Sequence, residues 1–173
     1  KVIEAGIPVT PTLAHRTDHA IDIRREIGTP KFVLEKMKKI QPDCFKTFQV
    51  MYKAGIKVAM GTDMGYEPGM GSNAYELEIY VDLGMTPMEA IQTTTKNAAE
   101  AAHIADDLGT IEPGKLADFI AVHGDPLDDI RILQEREKIQ IVMKEGDIFV
   151  DRRPGHSKEI IHGEPDSWQI IDA

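Results

Sequence analysis

The sequence has 173 residues, of which 42% are apolar and 28% charged, with 20 basic against 29 acidic residues and a formal net charge of −9. This is the composition of a folded chain with one core or two small ones, and it holds no Lys and Arg stripe of the kind that phosphate neutralisation needs, which argues against a nucleic-acid partner. No apolar stretch approaches the roughly 18 residues of a membrane span, the first residues lack a signal-peptide pattern, and the lone Cys44 allows neither an intrachain disulfide nor a cysteine-based zinc site, so the expectation is a cytoplasmic protein, Cys44 being a small buried hydrophobe on a helix.

Taken in chain order, residues 7–13 form an apolar run with Pro8 near its start and Pro11 near its end, a short strand whose prolines disturb pairing least. Thr29 before Pro30 opens a helix over 31–40, and Pro42 opens a second over 42–54 that Gly55 stops. Residues 56–62 are a second apolar strand, ending at Asp63 in a glycine-rich loop. Asn73, three residues ahead of Glu76, starts a helix that ends at Gly84. Thr86-Pro87-Met88-Glu89 is a capping box with proline in the first turn, opening a helix to about His103. Strand, helices, strand, helices implies parallel strands with helical crossovers. Beyond Asp106 short strands are expected at 110–111, 117–122, 139–143 and 148–150, the last pair joined by a turn around Glu145-Gly146-Asp147, followed by a polar tail over 151–173.

Gly61-Thr62-Asp63 has two readings from the residues themselves. An Asp after a strand is commonly a turn former or helix cap. In parallel α/β folds, however, ligands bind at the carboxyl ends of strands, where Asp63 lies, followed by a loop long enough to cover a pocket. His15 and His19, spaced i and i+4, could share a helix face as metal ligands, or belong to a loop after the first strand in which His15 is a candidate substrate contact. Tyr66 and Asn73, beyond Asp63, are further candidate substrate contacts, and helix capping accounts for Asn73 equally well. His103, His123, His156 and His162 are scattered and lack ligand spacing. The acids of Ala117-Asp118 and Gly124-Asp125-Pro126 are assigned to turns.

The segments 55–63, 84–90, 93–100, 108–118 and 124–126, in that order and spacing, closely resemble the last third of the amidohydrolase superfamily, and Thr10-Pro11-Thr12-Leu13 is similar to the seventh barrel strand of its imidazolonepropionase and prolidase-like branch. The resemblance covers about residues 1–150. It implies an α/β fold in which residues 1–105 are the C-terminal portion of a (β/α)8 TIM barrel, contributing its last two strands and helices, and 106–150 are part of a small β-sandwich. It implies hydrolysis of a C–N bond in an amide, cyclic amide or dipeptide, assisted by one or two divalent metal ions, zinc above all. Asp63 falls on the family's aspartate that binds metal or hydrolytic water and acts as general base. The family's other ligands, a His-x-His pair, a carboxylated lysine and two further histidines, belong to strands that this sequence does not contain; since the resemblance implies no ligand after the seventh strand, the loop reading of His15 and His19 is preferred.

A closed barrel needs about 250 residues. The chain is therefore expected to be part of a longer protein and inactive by itself, its partners being the N-terminal part of the barrel or a second chain, and a small-molecule substrate. The competing expectation is a non-catalytic remnant or interaction module that re-uses the barrel strands as a dimerisation surface.

Overall fold

The computed structural model describes residues 1–63 and 71–156, with the backbone of 158–159. The chain is a mixed α/β protein in which a helical part precedes an antiparallel sheet. Helices α1 (Asp18–Glu26), α2 (Lys31–Lys53), α3 (Tyr75–Asp82), α4 (Pro87–Thr94) and α5 (Lys96–Ala101) come first, and strands β1 (Phe119–Val122), β2 (Ile139–Lys144), β3 (Asp147–Asp151) and β4 (Lys158–Glu159) follow.

The apolar runs at 7–13 and 56–62 are extended segments that meet at one parallel bridge, Val9 with Val58. Val9 N–H donates to the Lys57 carbonyl at 2.9 Å and Ala59 N–H to the Val9 carbonyl at 3.0 Å. Neither run is a full strand, because a ladder needs neighbours and among the described residues these two segments pair only with each other at this point. They approach closely: a β-carbon on Gly61 would lie 2.6 Å from Thr10 Cγ2, so that any side chain there would force Thr10 to shift.

Three expectations about helices are corrected. The stretch after Leu13, expected as a loop, forms a 3-10 turn (Ala14–Arg16) and then α1, whose N-cap Thr17 accepts a hydrogen bond from Ala20 N–H at 3.2 Å. The two helices expected on either side of Gln41 are one, α2, with Pro42 inside it. Pro42 is exposed, while Met37, Gln41 and Phe48 form a buried stripe at helical spacing on both sides of it; burying that stripe outweighs the hydrogen bond that proline cannot donate. The helix expected over 87–103 breaks at Thr95, with φ −117° and ψ −95°. There the Thr93 carbonyl accepts from Met60 N–H at 2.8 Å, a bond to the neighbouring extended segment.

Other local signals are realised as expected. Thr86 and Glu89 form the reciprocal capping box of α4. Gly55 (φ 80°) and Gly84 (φ 115°) end α2 and α3 in left-handed turns, where Ile56 N–H bonds the Met51 carbonyl and Met85 N–H the Tyr80 carbonyl, the six-to-one pattern of a Schellman stop.

The core lies where α2, α3 and α4 cover the two extended segments, and it comprises Leu13, Ala14, Phe48, Val58, Leu77, Ile79, Tyr80, Met85, Ala90 and Ile130. Phe48 stacks on Tyr80, ring centroids 5.0 Å apart and 13° from parallel. Cys44 is only half-buried on α2, not deep in this core.

The four strands are antiparallel in the order β1-β2-β3-β4, with Ile120 opposite Val142, Val142 opposite Val150 and Val150 opposite Glu159. Glu145 (φ 52°) and Gly146 (φ 87°) make the two-residue turn between β2 and β3, a type I′ geometry matched to strand twist. Asp118 Oδ1 accepts from Glu145 N–H at 2.6 Å and Asp125 Oδ1 from Leu127 N–H at 2.8 Å, both acids serving turns. Residues 110–111 form no strand, and Ile111 is 90% exposed. The sheet also runs past residue 150, since β3 includes Asp151 and pairs with β4 inside the stretch expected to be a tail.

Candidate active site

Asp63 ends the extended segment 56–62 at an exposed position, with φ 55°. Left-handed backbone is uncommon for residues with a β-carbon, although Asp tolerates it better than most. The segment that delivers Asp63 is anchored on one side by α4 and α5. Asn97 Nδ2 donates to the Val58 carbonyl at 2.9 Å, Met60 N–H to the Thr93 carbonyl, and Lys57 pairs with Glu100. Thr10 flanks it on the other side, against Gly61.

The Asp63 carbonyl accepts a hydrogen bond from His15 Nε2 at 2.8 Å. A carbonyl oxygen cannot donate, so Nε2 carries the proton. His15 is buried, 6% exposed, in the 3-10 turn that follows the 7–13 segment. That turn is held in its turn by Glu76 on α3: Oε1 accepts from Leu13 N–H at 2.7 Å and Oε2 from Ala14 N–H at 2.6 Å. Glu76 is completely buried. Burial raises its carboxyl above the usual carboxylate range, opposed by the two amides that favour the charged form. Beside it, Tyr80 is pushed far up, first by burial and then by the Glu76 charge.

The other candidates are dispersed. His19 lies exposed on α1 with its ring edge-on to Tyr75, centroids 6.0 Å apart, whereas His15 is buried in the preceding turn; the two do not form a joint ligand pair. Asn73 is exposed and does not cap α3, whose N-cap is Ala74 with no side-chain bond. Tyr66, His162, Met64 and Met70 lie outside the described residues. His103 and His123 are exposed, and His156 Nδ1 is 3.5 Å from Asp151 Oδ2.

Among the described residues no three His, Cys, Asp or Glu side chains gather as a metal site. An exposed carboxylate such as Asp63 fits a divalent cation as one oxygen ligand. A zinc site takes about four ligands, three of them from protein in catalytic sites, so these residues fit one corner of a metal site and not a whole one.

Glu76 was legible in the sequence as the third residue after Asn73. Its contact with residues 13 and 14 was not. The available signal is a Glu on the apolar stripe of α3, four residues before Tyr80 and followed by Leu77 and Ile79.

The profile of the Amidohydrolase family matches residues 1–149. The chain belongs to that family. Within it, this amidohydrolase chain is 38% identical over 124 residues to ochratoxinase from Aspergillus niger, covering 70% of the chain and 25% of ochratoxinase. It is 32% identical over 117 residues to imidazolonepropionase from Caldanaerobacter subterraneus subsp. tengcongensis, covering 65% of the chain and 28% of that enzyme. Among solved structures it superimposes on a Xaa-Pro dipeptidase with bound methionine in the active site, with TM-score 0.75 and 36% identity over 86% of the chain and 36% of the dipeptidase. It also superimposes on Aspergillus niger ochratoxinase with TM-score 0.63 and 35% identity, covering 75% of the chain and 30% of that structure. The chain thus spans about a quarter of the length of the curated relatives it matches. No helix among the described residues is long and apolar enough to cross a membrane.

Proposed function

We propose that this chain supplies the C-terminal part of a metal-dependent amidohydrolase that cleaves carbon–nitrogen bonds in small molecules, an amide, cyclic amide or dipeptide. Residues 7–13 and 56–62 are taken as neighbouring strands at the closing end of an eight-stranded parallel barrel, and β1 to β4 as part of a small sandwich domain. The parallel contact between Val9 and Val58 supports that topology. The observation that carries the functional reading is the placement of Asp63, an exposed carboxylate at the carboxyl end of one of these segments with its own carbonyl fixed by His15. Barrel enzymes place their chemistry at that end of the strands. Among the relatives, a dipeptidase cleaves an amide C–N bond, the reaction class assigned here.

In this scheme Asp63 is one ligand of a divalent cation, zinc being the leading choice, and the remaining ligands come from the N-terminal part of the protein or from a second chain. When bound, the cation supplies a water whose proton is acidic near neutral pH. The Asp63 carboxylate would be the group placed to take up a proton from the hydrolytic water and to hand one to the leaving nitrogen, the work of a general base and then a general acid. Tyr66 and Asn73, downstream of Asp63, are assigned to substrate contact, and the cytoplasm is the assigned compartment.

The test is Asp63→Asn in the complete protein, assayed on a panel of dipeptides and cyclic amides. Turnover falls by about 10²- to 10⁴-fold, the range associated with a positioned acid or base, with the circular dichroism spectrum unchanged. An unaltered turnover number overturns the assignment of Asp63, and a complete wild-type protein that turns over none of the panel favours the interaction module.

A further inference from the structure

Glu76 is a completely buried carboxylate that the hydrolytic scheme does not use. An ionisable group in such a position needs full hydrogen bonding to be tolerated. Two consecutive backbone amides, those of Leu13 and Ala14, donate to it, one to each oxygen, from 63 and 62 residues away in sequence, with the Tyr80 hydroxyl beside them. Consecutive amides converging on one anion form a concave nest. Here the anion is the protein's own carboxylate. Thr12, immediately before the nest, is left-handed with φ 50°, and the 3-10 turn follows at Ala14, so the extended segment ends where Glu76 grips it.

The gripped turn carries His15, and His15 donates from Nε2 to the Asp63 carbonyl at 2.8 Å. A bond to that carbonyl fixes the peptide plane that follows Asp63. Together with φ 55° at Asp63, it sets the direction of the bond from which the carboxylate hangs. All parts except Asp63 are shielded from water: Leu13 is 3% exposed, Ala14 1%, His15 6% and Glu76 0%. Asp63 alone reaches the exposed end.

We propose that Glu76 and His15 are positioning residues for Asp63: Glu76 holds the turn at Leu13 and Ala14, the turn holds the imidazole, and the imidazole holds the backbone that aims the carboxylate. This rests on the reading of Asp63 as the working carboxylate. Among the described residues the bonds from Glu76 lead to Asp63 by way of the turn at Leu13 and Ala14 and then the His15 ring, so its influence passes through that ring. A carboxylate that merely braced the core would change stability without changing what Asp63 binds.

The experiment uses the complete protein, with Zn²⁺ as the probe in a chelator competition and hydrogen exchange of the peptide covering 56–63 as a readout independent of turnover. Glu76→Gln replaces one acceptor with a donor facing an amide, and His15→Ala removes the ring. Each variant weakens Zn²⁺ binding by about 10- to 100-fold, the usual effect of losing a group that orients a ligand, and speeds exchange at 56–63. The double variant is no weaker than the worse single one, as members of one chain of contacts require. His15→Gln, whose amide keeps a donor at similar reach, recovers affinity. Wild-type affinity and wild-type exchange in His15→Ala, or losses that simply add, overturn the proposal. If Glu76→Gln does not fold, the two His15 variants decide by the same criteria. Asp63→Asn is the separate control: unchanged Zn²⁺ affinity there removes Asp63 as a ligand, and the relay then stands or falls on exchange at 56–63.

Discussion

Gly61 faces Thr10 so closely that a β-carbon in place of its hydrogen would lie 2.6 Å from the Thr10 Cγ2 methyl. Carbon atoms in contact settle about 3.5–4.0 Å apart. The two extended segments are therefore spaced by the absence of a side chain, two residues before Asp63. Gly61→Ala is expected to destabilise the protein by about 1–3 kcal/mol, as overpacking does. Thr10→Ser removes the offending methyl and keeps the hydroxyl, so the double variant recovers most of the loss. Urea denaturation midpoints check this, and an equal cost of Gly61→Ala in both backgrounds would sink the steric account.

Asn97 reaches the same segment from α5 by donating to the Val58 carbonyl. Val58 is 2% exposed, so its carbonyl has little recourse to water. Asn97→Ala leaves that acceptor without its donor and costs about 1–3 kcal/mol. Asn97→Asp sets a carboxylate against a carbonyl and costs more. Calorimetric unfolding at pH 7 checks the order, wild type above Ala above Asp; an Asp variant as stable as wild type would show that the contact contributes nothing.

Glu89 carries the acid dependence of α4. Bonds from the Thr86 hydroxyl and the Thr86 backbone N–H, then from the Tyr52 hydroxyl, hold its carboxyl below the ordinary value of 4.5. A folded-state pKa below the unfolded one means that the unfolded chain binds the proton more tightly. The stabilisation is therefore fully present above the unfolded value and is lost as pH falls through the depressed one. Glu89→Gln should flatten the acid limb of stability below about pH 4.5, and unfolding free energies measured down that limb test it. Parallel acid limbs in the two proteins would contradict the assignment.

What could be read from the sequence divides by distance along the chain. The capping box of α4 was legible because Thr86, Pro87 and Glu89 are neighbours, and the stops at Gly55 and Gly84 because one residue's left-handed freedom suffices. Asp63 stood out as the end of an apolar run. Pro42 misled, because proline ordinarily opens or breaks a helix, and the buried stripe of Met37, Gln41 and Phe48 that overrides it is a tertiary effect. The break at Thr95 misled for the same reason, since the bond that takes the Thr93 carbonyl comes from Met60. The link from Glu76 through residues 13 and 14 to His15 and Asp63 spans more than 45 residues at each non-local bond. No local pattern encodes such a contact.

The uninterrupted passage of α2 through Pro42 makes that helix a rigid gauge. Its 23 residues span roughly 34 Å at 1.5 Å each. Gln41, whose amide donates to the Arg16 carbonyl and to Asp18, lies on the same rotational phase as Phe48, which stacks on Tyr80 one turn of α3 beyond Glu76. One residue inserted between Gln41 and Phe48 would turn these ends by about 100° relative to each other. The turn that bears His15 and the helix that bears Glu76 would then no longer meet in phase. Length changes should therefore be accepted at the ends of α2 and refused in its middle.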